Sequence, residues 1–135
     1  MSGEISVNGS SRFLIRSWLL EMNFKPHWDA KTRIELLERW ILVQSYAYYE
    51  LNDNIASDFD YDNNVKQLFE LIENNPDDHY NTRYYLYFDK FEPGCTSGFE
   101  LLEKVRKKNK ALYDTLYRDA MMALGLKYKK ETAYD

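Results

Sequence analysis

Tyr48-Tyr49-Glu50-Leu51-Asn52-Asp53-Asn54-Ile55-Ala56-Ser57-Asp58-Phe59-Asp60-Tyr61-Asp62 joins two helical patterns and concentrates aromatic rings and carboxylates in one turn. Ser57 is an N-cap residue and Asp60, three positions on, completes an approximate capping box, so a helix is expected from Asp58. Asp58, Tyr61 and Asp62 then stand at i, i+3 and i+4 and share one face of the first turn. Carboxylates there are favoured by the helix dipole, which by itself accounts for Asp58, Asp60 and Asp62 as helix stabilisers.

Upstream, Asp29 is positioned to cap a helix over residues 30–51. Ile34, Leu37, Ile41 and Tyr48 form one stripe along it, with Leu36, Trp40, Val43 and Ala47 beside them. Two adjacent stripes make a broad apolar face, as expected of the central helix of a bundle. Downstream, Val65, Leu68, Phe69 and Ile72 give a second helix over 58–74, stopped at Asn75-Pro76. The short connection predicts that the two pack antiparallel.

The pattern from Tyr48 to Asp62, with the amphipathic helix and proline that follow, resembles the N-terminal Ia domain of NAD-dependent DNA ligases. Residues 34–76 carry the resemblance. That domain is a small helical module which recognises the nicotinamide mononucleotide (NMN) half of NAD by aromatic stacking and by carboxylates that accept hydrogen bonds. By position, the resemblance implies nicotinamide contacts at Tyr48, Tyr49, Asp58, Tyr61 and Asp62, with Tyr49 where the family often has His. Two departures fall in the turn: Asn52 replaces the usual Asp and Asn54 the usual Pro, so a less rigid loop is expected. Thr96-Ser97-Gly98-Phe99, after an aromatic run, is similar to small stand-alone ligase-related proteins.

A chain of 135 residues suits one domain with a core of its own. Its 44% hydrophobic and 30% charged residues are ordinary for a water-exposed fold, but twelve tyrosines are many, and they serve packing between small helices as well as stacking. Residues 1–10 lack periodicity and read as a flexible arm. Residues 11–126 read as one helical domain, and 127–135 as a frayed tail. Within the domain, Leu14, Ile15, Trp18, Leu19 and Met22 predict a short helix ended by Pro26. Residues 77–96 are expected to be irregular or in short helical pieces, with a small hairpin over the 84–88 aromatic run as the alternative. Ser97 caps a last, longest helix in which Leu102, Val105, Leu112, Leu116 and Ala120 keep the helical period and Gly125 serves as the C-cap. The expected fold is therefore all-α, a bundle of about four main helices with a ligase Ia-like helix-turn-helix core.

Charge is distributed unevenly. Residues 50–80 hold nine acids against Lys66 alone, while residues 99–130 hold nine bases against four acids. The basic run from Lys104 to Lys110 is explained as a solvated helix face with Glu100 and Glu103 as i+4 partners, so direct nucleic-acid binding is not expected. Asp58-x-Asp60-x-Asp62 starts like a calcium loop, yet Asn63 holds the obligatory glycine position and Phe69 the twelfth. His27 and His79 sit near helix boundaries, where capping or exposure is expected rather than catalysis. The single Cys95, in a turn after Pro93-Gly94, favours a reducing compartment, and with no signal peptide or apolar run of spanning length the cytoplasm is the expected location.

The Lys-x-Asp-Gly setting through which a ligase takes AMP from NAD is missing, and so is any phosphate-cradling Gly-rich loop. The expected function is recognition of NMN or NAD without catalysis in isolation, alone or beside a separate nucleotidyltransferase chain. The alternative is a small acidic interaction or inhibitor protein, of viral type, that uses the same scaffold to hold a basic protein partner.

Overall fold

The computed structural model describes residues 28–132, and within them the fold is all-α. Its helices are α1 (Ala30–Glu50), α2 (Asp58–Asn74), α3 (Pro76–Tyr80), α4 (Tyr85–Phe88), α5 (Gly98–Lys108) and α6 (Lys110–Thr132). The expected arm over 1–10 and helix over 11–24, with Pro26 and His27, lie outside the described residues.

Local chemistry starts each long helix. Asp29 Oδ1 accepts from Thr32 N at 2.8 Å, Ser57 Oγ from Asp60 N at 3.1 Å and Ser97 Oγ from Glu100 N at 3.1 Å, so all three expected caps are made. α1 is the hub, in contact with α2, α3, α5 and α6. Neighbours on several sides bury Ile34, Leu37, Trp40, Ile41 and Leu42, and also the polar Glu38, Gln44 and Ser45. The antiparallel pairing of α1 and α2 is visible in side-chain pairs whose numbers run in opposite directions, Ser45 with Tyr61 and Gln44 with Asn64. Val65 and Leu68 of α2 are buried, with Phe69 and Ile72 partly so.

Four expectations need correction. Tyr48 leaves the apolar stripe: it is 53% exposed, on the last turn of α1. The single long C-terminal helix is broken at Asn109, whose extended backbone ends α5 and whose side chain accepts from Leu112 N at 3.0 Å. From Arg106 to Ala111 the chain is exposed, so no core contact opposes a bend there, and the Asn side chain offers the backbone a competing partner. Gly125 is not a C-cap, because α6 continues through it to Thr132, with the glycine in open space. His79 is buried rather than exposed or capping: its Nε2 lies 3.1 Å from Glu38 Oε2, a close polar contact off the line of a hydrogen bond, and it ties α3 to α1.

Residues 77–96 take the short helical form. Tyr84, Tyr87, Phe88 and Phe91 turn inward, so the aromatic run is core, not strand. Arg39 of α1 donates to Asp119 of α6 through Nη2 at 2.5 Å and Nε at 3.1 Å, with Thr115 Oγ1 3.2 Å from Nη2. Both donors converge on one oxygen, Asp119 Oδ2, and this largely buried charge-assisted pair fixes the register between the two longest helices. No helix among the described residues is long and apolar enough to cross a membrane.

Candidate functional site

α1 ends at Glu50 because the chain turns sharply: Leu51 N and Asp53 N both donate to Ala47 O, and Asn52 between them has φ +53°. Asparagine is among the few side chains that accept this left-handed conformation, which explains its place in the turn. On the far side, Gly94 (φ +80°) and the Glu92 carbonyl, which accepts from Cys95 N and Thr96 N, fold residues 92–96 into a tight turn leading into α5. Between the end of α1, the first turns of α2 and this second turn lies a cleft of about 410 Å³.

Tyr48, Tyr49, Asp58, Tyr61 and Asp62, the five residues singled out in the sequence, all line it. They come together because α1 and α2 are antiparallel and joined by a short loop, so the last turn of one stands beside the first turn of the other. The rings differ in role. Tyr48 and Tyr49 are exposed and meet edge to face at 4.8 Å between centroids, with Phe99 of α5 behind Tyr49 at 5.6 Å. These rings offer aromatic surface to a ligand. Tyr61 is mostly covered, and burial pushes its phenol up from the ordinary tyrosine value while a weak 3.5 Å hydrogen bond to Ser45 Oγ opposes this. Tyr61 is thus more wall than platform.

Asp58 and Asp62 are the charged groups of the lining, which includes no lysine or arginine among the described residues. The cleft is consequently an aromatic hollow with net negative charge, complementary to a planar cation. Residues missed in the sequence complete it: Gln44 and Ser45 from α1, and Gly94, Cys95, Ser97 and Gly98 opposite. Part of that was readable, since Gln44, Ser45, Tyr48 and Tyr49 share one helical face and put two polar residues into the otherwise apolar and aromatic stretch 40–49. The opposite wall was foreshadowed only by the Thr96-Ser97-Gly98-Phe99 similarity.

A second groove, of about 620 Å³, runs past Arg39, Arg83, Arg118 and Asp119. Arg39 is engaged there with Asp119, and the groove lacks the convergence of exposed rings with acids that have no ion-pair partner among the described residues, as found in the first. No group of three or more His, Cys, Asp or Glu among the described residues could hold a metal ion.

The molecule is thus an all-α bundle with an aromatic, acidic cleft at one end of its central helix. Comparison with family models, with curated proteins and with solved structures finds no match to this chain.

Proposed function

We propose that the cleft binds a nicotinamide nucleotide, NMN or the matching half of NAD, and that the chain performs no chemistry on it alone. The observation that carries this reading is convergence: five residues marked by a ligase Ia-like register, spread over fifteen positions of sequence, line one cleft. The oxidised nicotinamide ring is a planar cation. It gains from the Tyr48 and Tyr49 faces through cation–π and stacking contact, and from Asp58 and Asp62 through charge and through hydrogen bonds accepted from its carboxamide and ribose hydroxyls. The N-terminus of α5, at Ser97 and Gly98, borders the same space and supplies positive potential for the phosphate. Catalysis would belong to a partner chain carrying a Lys-x-Asp-Gly nucleophile.

Ligand-induced thermal shift tests this. NMN and NAD at about 100 times Kd raise stability by about 2.7 kcal/mol, whereas AMP, which lacks the pyridinium, leaves Tm unchanged. Equal shifts with all three ligands, or none with NMN, contradict the reading.

A second reading has an observation of its own. Phe59 is 73% exposed between Asp58 and Asp60 and does not line the cleft. An exposed ring among acids suits a basic protein partner, with an association rate that falls with salt. A complex lost in Phe59→Ala but kept in Tyr49→Ala would mark that function.

A further inference from the structure

The loop that closes one side of the cleft contributes Asn54, Ile55 and Ala56 to its lining. Its apolar side is held by Ile55, which is buried in the core. Its polar side is held from a distant part of the chain. Lys127 Nζ donates to Asn54 O at 2.5 Å and lies 3.9 Å from Asp53 Oδ1, and the Tyr128 hydroxyl donates to Asp53 Oδ2. Asp53 Oδ1 in turn accepts from Asn54 N at 2.8 Å, so the carboxylate ties the α6 contact to the loop backbone. These bonds belong to the turns of α6 beyond Gly125, the part of the helix that an end at that glycine would have removed.

We infer that Lys127 and Tyr128 are positioning residues for the cleft: they do not line it themselves, yet they fix the loop that forms its wall. Among the described residues, the hydrogen bonds reaching this loop from outside α1 and α2 come from α6. The loop needs such a hold because residues 51–57 contain no proline that would stiffen the backbone. Tyr128 and Lys127 replace that covalent stiffness by a tertiary clamp. Docking of the C-terminal turns and formation of the cleft are therefore coupled, and a loosened clamp weakens ligand binding by making the wall pay an ordering cost on binding.

The consequence for NMN rests on the proposed function; the consequence for the loop does not. The test uses the full chain and the double variant Lys127→Met/Tyr128→Phe, which keeps side-chain bulk while removing the donors, with Lys127→Arg as the conservative rescue. Amide hydrogen exchange is read residue by residue, and NMN affinity by calorimetry. The clamp predicts exchange at residues 53–56 faster by about tenfold or more, the order of one lost net hydrogen bond, with α1 protection unchanged. It predicts Kd for NMN raised by a similar factor, with Lys127→Arg close to wild type. A merely structural role would speed exchange across α1 and α6 together. Unchanged exchange at 53–56, a global increase, or a variant that binds NMN as tightly as wild type overturns the inference. A wild type that binds no NMN instead defeats the proposed function, and the exchange pattern alone then decides the clamp.

Discussion

Gly98 seats the N-terminus of α5 against α1, and replacing it tests how tightly the cleft is built. A Cβ at this position would lie 2.4 Å from Ser45 Oγ, 3.0 Å from Ser45 Cβ and 3.1 Å from the Tyr61 hydroxyl. Something must move, and each candidate borders the cleft: α5 itself, Ser45, or the Tyr61 ring. Inserting a methyl into such a contact costs about 1–3 kcal/mol, while exchanging glycine for alanine in a helix returns about 0.5–1 kcal/mol. Gly98→Ala is therefore expected to destabilise by about 1–2 kcal/mol, a Tm loss of about 3–10 °C for a chain of this size. Urea denaturation of Gly98→Ala, Ser45→Gly and the double variant checks the cause. Ser45→Gly removes both Ser45 atoms in the way, so the double variant should recover about 1 kcal/mol relative to the sum of the single changes. Strict additivity, or a Gly98→Ala protein more stable than wild type, would refute the packing argument.

Three other outcomes follow from the same structure. Trp40→Ala, at a ring 2% exposed on the central helix, should cost about 3–5 kcal/mol, and an unchanged urea midpoint would show that the ring is not core. Burial raises the Glu38 carboxyl above its ordinary value in spite of the neighbouring His79, which favours the charged form. Its folded form therefore holds a proton that the unfolded chain releases, and the stability this contributes is present below about pH 4.5 and lost as pH rises through the raised value. Relative to Glu38→Gln, wild type should lose stability as pH rises above about 4.5, and parallel urea midpoints for the two proteins as pH is raised would contradict this. At the cleft, Tyr49→Ala should weaken NMN binding by about 5- to 150-fold and Asp62→Asn should weaken it with Tm unchanged, whereas Tyr61→Phe should bind within a few-fold of wild type because its hydroxyl is directed to Ser45. Calorimetry with each variant reads all three.

What could be read in advance was whatever is local. Asp29, Ser57 and Ser97 announce helix starts because capping is a contact across three residues, and the structure makes each one. The α2 limits follow from Ser57 and from Asn75-Pro76 for the same reason. The failures are tertiary. Gly125 has the residue type of a helix end, but contacts of Lys127 and Tyr128 with residues seventy-odd positions earlier carry α6 past it. His79 looked exposed at a helix boundary, and only the folding of α3 onto α1 places it against Glu38. The break at Asn109 is hidden in the sequence because apolar periodicity continues on both sides of it, while the exposed basic run around it lets the helix break. The cleft divides in the same way. Its α1 and α2 wall is one helix-turn-helix and was legible in residue spacing, whereas the wall from Gly94 to Gly98 arrives from a segment with no periodicity and is brought there by burial of Tyr84, Tyr87 and Phe88.

Calorimetric titration of the intact protein with NMN bears most directly on the central claim. Saturable binding of one NMN per chain, weakened by Tyr49→Ala and Asp62→Asn and not reproduced by AMP, is the predicted result. Absence of any NMN binding heat up to millimolar ligand, from a protein that is folded by circular dichroism, would contradict it and leave the acidic face around Phe59 as the functional surface.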